Sequence, residues 1–81
     1  MYNIGVSYSK LGDENKALEY YLKAYEIRKK LYNDDHPDIA QSLQSIGVGY
    51  SKLGDENKAL EFKLKAYEIR KKLYNDDHPD I

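Results

Sequence analysis

The chain has 81 residues, so it has room for one domain, and a single compact core is marginal at this size. It contains no cysteine, which excludes disulfides and thiolate zinc sites. Thirteen basic and 14 acidic side chains give a net charge of −1, whereas a nucleic-acid-binding protein would carry a basic excess to contact phosphates. No apolar run approaches the roughly 18 residues of a membrane span, and no charged-then-apolar leader opens the chain. We therefore expect a soluble, cytoplasmic protein with neither nucleic-acid nor membrane partners.

The sequence repeats at an offset of 42 residues. Ser9–Leu18 recurs as Ser51–Leu60, and only six of the 39 aligned pairs between residues 1–39 and 43–81 differ. Such identity indicates either a recent tandem duplication or a deliberately regularised sequence. The predicted organisation is a single domain with repeat 1 at about 1–39 and repeat 2 at about 40–81, the latter ending at the start of a missing third repeat.

The first predicted helix contains Gly5, and its counterpart in repeat 2 contains Gly47. Glycine inside a helix costs about 0.5–1 kcal/mol relative to alanine, which is reasonable where another helix must approach closely. The second helix of each repeat offers small side chains for such an approach, at Ala17, Ala24, Ala59 and Ala66.

The third predicted helix follows the segment Asp35-His36-Pro37-Asp38, which resembles a capping box with Asp35 as the N-cap and proline in the first turn. Gly54 is expected to end this helix in a left-handed conformation, and Asp55 to cap the fourth. Between these limits, apolar residues at spacings of three and four predict one buried stripe, formed by Ile39, Leu43, Ile46 and Tyr50, with Leu53 beyond.

The fourth predicted helix has an apolar surface wider than one stripe, which indicates two neighbours. Its members are Ala59, Leu60, Leu64, Ala66, Tyr67, Ile69, Leu73 and Tyr74. Helix–turn–helix units of fixed period, each too small for its own core, form solenoids. The sequence therefore predicts an all-α, helix-turn-helix α-solenoid of about four helices.

Charged side chains are predicted to lie on solvated helix surfaces. Acidic residues precede basic ones by four positions, the stabilising order, in the pairs Glu19/Lys23, Glu26/Lys30, Glu61/Lys65 and Glu68/Lys72. The runs Arg28-Lys29-Lys30 and Arg70-Lys71-Lys72 are interpreted as solvated helix ends near the negative dipole pole, in preference to phosphate sites.

The repeat carries a known motif. Repeat 1 has Met1-x2-Ile4-Gly5-x2-Tyr8, Ala17-x3-Tyr21-x2-Ala24 and Pro37; repeat 2 has Leu43-x2-Ile46-Gly47-x2-Tyr50, Ala59-x3-Lys63-x2-Ala66 and Pro79. This pattern resembles the tetratricopeptide repeat (TPR) family, whose usual period is about 34 residues. The longer period here, and the segment 24–38, look like kinesin-light-chain-type repeats in two tandem copies. The resemblance implies a TPR superhelix that acts in protein–protein interaction.

The resemblance also implies a binding groove, because in TPR proteins the first helices of successive repeats line a concave surface that receives a peptide. Asn3 matches the asparagine that grips the peptide backbone, and Ser45 replaces it in repeat 2. The Lys-x3-Asn clamp for a terminal carboxylate is absent, so a mixed apolar and polar peptide is expected. The alternative is that these are ordinary solvated positions. The implied lining is Tyr2, Asn3, Val6, Ser9, Lys10, Gln41, Gln44, Ser45, Val48, Ser51 and Lys52.

Catalysis and metal binding are disfavoured. His36 and His78 occupy equivalent loops, and none of the serines lies in a nucleophile-elbow context. The acidic segment around His36 could hold a divalent ion, yet helix capping explains it better. We predict no enzyme, no metal and no cofactor. Most tyrosines are predicted to be core residues, with Tyr2 and Tyr20 less clearly buried; the core set is Tyr8, Tyr25, Tyr32, Tyr50, Tyr67 and Tyr74.

The two ends of the chain are predicted to be complementary, since each carries one half of the junction between the repeats. The last helix should expose an apolar face, partly blunted by Lys63. Unlike surfaces that match make head-to-tail contacts. The alternative function is therefore a self-associating scaffold unit that stacks head-to-tail or exchanges helices, through Met1, Ile4, Leu60, Leu64, Tyr67 and Ile81.

Overall fold

Four helices account for all the regular structure of the described residues. The structure, a computed structural model, describes residues 1–33 and 35–74, the last of these in its backbone only. The helices pack in chain order, each against the next. The predicted all-α helix-turn-helix architecture is confirmed, with α1 at Tyr2–Lys10, α2 at Glu14–Leu31, α3 at Pro37–Lys52 and α4 at Glu56–Tyr74.

The two tight turns form as the sequence predicts. Gly12 and Gly54 adopt φ values of 88° and 91°, a left-handed conformation that glycine reaches without a Cβ penalty. Asp13 and Asp55 follow, and each carboxylate accepts the backbone N–H three residues on, at 3.2 and 3.1 Å. These caps satisfy donors that the first helical turn leaves unpaired.

The start of α3 differs from the prediction, because His36 is the N-cap in place of Asp35. The Nδ1 atom of His36 accepts the backbone N–H of Asp38 at 3.0 Å. The residue before a proline is pushed into extended backbone, which is the conformation of an N-cap, and Pro37 selects His36 for it. Asp35 instead lies 3.8 Å from the ammonium of Lys72 on α4.

Paired helices approach closely at the two mid-helix glycines, as predicted. A Cβ built on Gly5 would lie 2.9 Å from the ring of Tyr21, and one on Gly47 would lie 3.0 Å from the carbonyl oxygen of Ala59. Both distances are shorter than a normal contact. The four predicted small residues, Ala17, Ala24, Ala59 and Ala66, are all buried, and Ala17 and Ala59 lie at these points.

The core lies where α3 packs between α2 and α4. One cluster joins Leu18 and Tyr21 of α2 to Ile46 of α3, and a second is formed by Ile39, Leu43 and Ala66. The stripe predicted for α3 is thus buried, with Tyr50 half-buried at its edge. Leu53 is exposed, contrary to the prediction, because α3 ends at Lys52 and Leu53 lies in the turn.

The tyrosines divide by position. Tyr2, Tyr8, Tyr25 and Tyr50 are half-buried and pack against the first core cluster. The core prediction is wrong for Tyr32, which is exposed in the loop after α2 and stacks on the His36 ring at 3.8 Å. Tyr67 is also exposed, and the side chain of Tyr74 lies outside the described residues.

Lys63 does not lie on the outer face of α4 as predicted. Its Cγ would be 2.8 Å from a Cβ at Gly47, so it packs inside the α3–α4 pair. The equivalent residue in repeat 1, Tyr21, is buried against α1. Lys63 therefore does not cover the exposed apolar residues Leu60, Leu64 and Tyr67.

Two of the predicted helical ion pairs are confirmed. Lys23 lies 3.4 Å from Glu19, and Lys65 lies 3.5 Å from Glu61. Both pairs are exposed, so each contributes only a few tenths of a kcal/mol, about 0.3–0.5.

Candidate protein-binding surfaces

The first helices of the two predicted repeats, α1 and α3, lie side by side. The Tyr2 hydroxyl and Ser45 Oγ are 2.9 Å apart, and Lys52 Nζ donates to Ser9 Oγ at 3.3 Å. Both contacts join a residue to the one 43 positions later, so the helices run parallel and in register. The surface they share is called the α1/α3 face below. Of the predicted groove residues, these contacts bring together Tyr2, Ser9, Ser45 and Lys52, whereas Gln41 Oε1 accepts from Arg28 of α2.

Several polar residues of the α1/α3 face are engaged within the protein. Ser9 Oγ donates to the Glu14 carboxylate at 3.2 Å, and Lys52 lies 3.6 Å from the same carboxylate. Ser51 makes the equivalent bond to Glu56 at 3.2 Å. These side chains hold the helix pairs together and are less available to a ligand.

Some of the predicted groove residues on α1 and α3 have side chains that are not engaged within the protein. Asn3 and Lys10 are exposed and Gln44 is half-buried, and none of their side chains hydrogen-bonds to another described residue. Val6 and Val48 are half-buried, and Val6 packs against the first core cluster. An amide side chain can both donate and accept a hydrogen bond.

Arg28, at the end of α2, ties three helices together. Its guanidinium donates to the carbonyl oxygen of Asp38 at 3.2 Å, to Gln41 Oε1 at 3.2 Å and to Ser42 Oγ at 2.9 Å. It also lies 4.9 Å from the ring centroid of Tyr2 on α1. The prediction of a solvated basic end is therefore wrong for Arg28, while Lys29 and Lys30 are exposed.

One signal in the sequence could have revealed this role. Ser42 lies three residues after Ile39 and four before Ile46, on the buried side of α3, and it is completely buried. A buried hydroxyl requires a hydrogen-bonding partner, because leaving it unsatisfied costs about 1–3 kcal/mol. No local pattern indicates that the partner comes from residue 28.

Tyr21 and Tyr2 make the contact between α1 and α2 aromatic, with ring centroids 5.5 Å apart. Burial raises the pKa of the Tyr21 phenol above its usual value of 10.0, and Tyr2 and Glu14 add to the increase, against a hydrogen bond with Ser9 that lowers it. Tyr21 is therefore a neutral packing residue, without catalytic activation.

The outer side of α4, here called the α4 open face, is uncovered. Leu60, Leu64 and Tyr67 are 59%, 51% and 45% exposed. Leu18, the equivalent of Leu60 on α2, is only 8% exposed because α3 packs on it. The prediction that the last helix exposes an apolar face is confirmed.

The opposite end of the molecule is also uncovered. Ile4 is 46% exposed, whereas its equivalent Ile46 is fully buried. Beside it lies a cavity of about 250 Å³, here called the N-terminal pocket, lined by Met1, Tyr2, Asn3, Ala24, Ile27 and Arg28. Ile81, the remaining residue predicted for self-association, lies outside the described residues, as do His78 and Pro79.

Among residues 1–33 and 35–74, no three histidine or acidic side chains are grouped so that they could hold a metal ion. The imidazole of His36 is used as a helix cap. None of the described helices is long and apolar enough to cross a membrane.

A family model described as tetratricopeptide repeat matches residues 1–72. Neither the curated proteins nor the solved structures searched give a significant match. The match extends from the first residue of the chain through most of α4, so it includes both helix–turn–helix pairs and the glycines and alanines at their close contacts. The chain belongs to the tetratricopeptide repeat family.

Proposed function

We propose that the protein is a non-enzymatic interaction module that binds a peptide segment of a partner protein on the α1/α3 face. The family is typical of protein–protein interaction. The observation that supports the proposal is the parallel register of α1 and α3. Asn3 on α1 and Gln44 on α3 carry hydrogen-bonding groups that the described residues leave unused.

The ligand we propose is an extended or helical peptide of mixed apolar and polar side chains. Val6 and Val48 offer apolar contact, the amides can bond to the peptide backbone, and Lys10 offers a positive charge. The positions of a TPR carboxylate clamp hold Tyr2, Val6, Gln44 and Val48, so a C-terminal carboxylate is not the expected anchor.

The test uses peptides selected from a random 12-mer display library against the 81-residue chain. We expect Asn3→Ala and Gln44→Ala to weaken binding of selected peptides about fivefold or more each, the cost of one to two lost hydrogen bonds. Asn15→Ala, an exposed amide on α2, is the matched control and should leave binding unchanged. Selected peptides that bind all three variants equally would refute the α1/α3 face.

A second candidate is self-association, favoured by the α4 open face. On α4 the residues Leu60, Leu64 and Tyr67 are exposed, whereas the equivalent side of α2 is covered by the next helix. Because the repeats are nearly identical, the α1 end of another copy is a chemically suitable partner, through Met1 and Ile4. Heterologous contacts of this kind produce linear stacks or rings, and helix exchange between two chains is the variant arrangement.

Sedimentation equilibrium over a concentration series up to the millimolar range tests this second candidate. We expect an increase in mass with concentration, which Leu64→Asp should abolish. Leu53→Asp is the matched control, because Leu53 is an exposed leucine in the turn after α3 and belongs neither to α1 nor to α4. A strict monomer at millimolar concentration, or equal effects of both variants, would exclude the α4 open face as the contact.

A further inference from the structure

The N-terminal pocket has a counterpart inside the molecule that is already filled. Subtracting the offset of 42 residues converts Leu43, Ala66 and Ile69 into Met1, Ala24 and Ile27, three of the residues that line this pocket. In repeat 2 those equivalents surround a single side chain, that of Ile39.

Ile39 is the side chain that fills this site in repeat 2. It is 2% exposed and forms a core cluster with Leu43 and Ala66, against which Ile69 packs. At the N-terminal pocket the position equivalent to Ile39 is unoccupied by the described residues, and Ile27 is correspondingly exposed while Ile69 is half-buried. The cavity of about 250 Å³ is smaller than the roughly 300–1,000 Å³ of small-molecule sites, and its lining includes Met1, Ala24 and Ile27, the counterparts of the residues that pack around Ile39.

The chain itself carries a second copy of the segment that contains Ile39. Residues 75–81 have the same sequence as residues 33–39, and Ile81 corresponds to Ile39. We propose that Ile81 of one molecule inserts into the N-terminal pocket of the next, while the α4 open face of the first molecule covers Ile4 of the second. This inference rests on the self-association proposed above and identifies where the tail docks.

The proposed junction repeats the internal one with one steric difference. A Cβ at Gly49 would lie 3.3 Å from Leu18 Cδ1, and the equivalent of Gly49 in α1 is Ser7. Across two molecules Ser7 would therefore face Leu60 more tightly than Gly49 faces Leu18. The intermolecular junction is accordingly weaker than the internal one, which makes association concentration-dependent and reversible.

Cross-linking tests the docking directly, because the unmodified chain has no cysteine. Ile27→Cys, made in ¹⁵N-labelled protein, is mixed with unlabelled Ile81→Cys and treated with a short bis-maleimide. Mass spectrometry should show mixed dimers well above the homodimers that each variant forms alone. The Ile39→Cys/Ile69→Cys double variant is the positive control, since it places the same two positions within one molecule.

A second measurement separates failure of the docking from failure of self-association. Ile81→Asp should weaken association at least about tenfold, the loss expected for one aliphatic side chain that is no longer buried. If the wild type associates but Ile81→Asp associates equally and no mixed dimer forms, the tail docking is wrong and self-association stands. A wild type that stays monomeric at millimolar concentration overturns both.

Discussion

Replacing Gly5 with alanine should destabilise the protein more than the same change at Gly47. The two glycines have equivalent positions but different neighbours. A Cβ at Gly5 would lie 2.9 Å from two ring carbons of Tyr21, which is buried and cannot rotate away. A Cβ at Gly47 would lie 2.8 Å from Lys63 Cγ, which belongs to a flexible and only half-buried side chain.

The expected magnitude follows from two opposing effects. Alanine stabilises a helix interior by about 0.5–1 kcal/mol relative to glycine. An extra methyl group in a packed contact costs about 1–3 kcal/mol. At Gly5 the ring of Tyr21 and the backbone of α2 would both have to move, so we expect a net loss of about 1–2 kcal/mol. The backbone contact is common to both sites, since the carbonyl oxygen of Ala17 would lie 3.1 Å from a Cβ at Gly5 and that of Ala59 would lie 3.0 Å from one at Gly47. The sites therefore differ mainly in the side chain, and because Lys63 can yield, the net change at Gly47 should be about 1 kcal/mol smaller.

Thermal unfolding followed by circular dichroism measures the difference. For a domain of this size, 1 kcal/mol shifts the midpoint by about 4–8 °C, so Gly5→Ala should melt that much below Gly47→Ala at equal protein concentration. If Gly47→Ala melts at or below the midpoint of Gly5→Ala, the ring of Tyr21 yields to the added methyl group as readily as Lys63 does.

Three further predictions can be checked by chemical denaturation. Arg28→Met should lower the free energy of unfolding by about 1–2 kcal/mol, since it removes the nitrogen Nη1 that donates to the carbonyl oxygen of Asp38, to Gln41 and to buried Ser42; Arg70→Met is the control, and an equal effect would refute the role. Tyr2→Phe, which removes the bond to Ser45, should cost about 0.5–1.5 kcal/mol, and no loss would mean that α1 and α3 are held otherwise. Because burial raises the pKa of folded Tyr21, stability should fall as pH rises above about 10, and Tyr21→Phe should make this fall shallower than in the wild type.

Local features of the fold could be predicted from the sequence because their causes are local. Gly54 has no Cβ to oppose a left-handed turn, and the carboxylate of Asp55 reaches a backbone N–H three residues away. The spacing of Ile39, Leu43 and Ile46 places them on one side of α3 whatever packs there. The likeness to kinesin-light-chain-type repeats and the division into two repeats stay predictions.

The wrong predictions concern side chains that could make more than one kind of contact. Asp35 and His36 both offer an acceptor for a helix N-terminus, and only the backbone constraint from Pro37 decides between them. Arg28 resembles any other base at a helix end until its contact with Ser42, 14 residues away, is known. Lys63 lies on the same helix as the residues of the α4 open face. Only its close contact with Gly47 shows that it faces α3.

The two proposed activities are physically linked through the α1/α3 face. In the monomer this face consists of two helices, joined by contacts such as that between Tyr2 and Ser45. A head-to-tail neighbour would place its own α1 beside α3 in the same register and so lengthen the face by one helix. A peptide long enough to contact three helices would then bind the assembled form more tightly than the monomer. By linkage, that peptide must strengthen assembly by the same factor, so peptide binding and self-association should increase together.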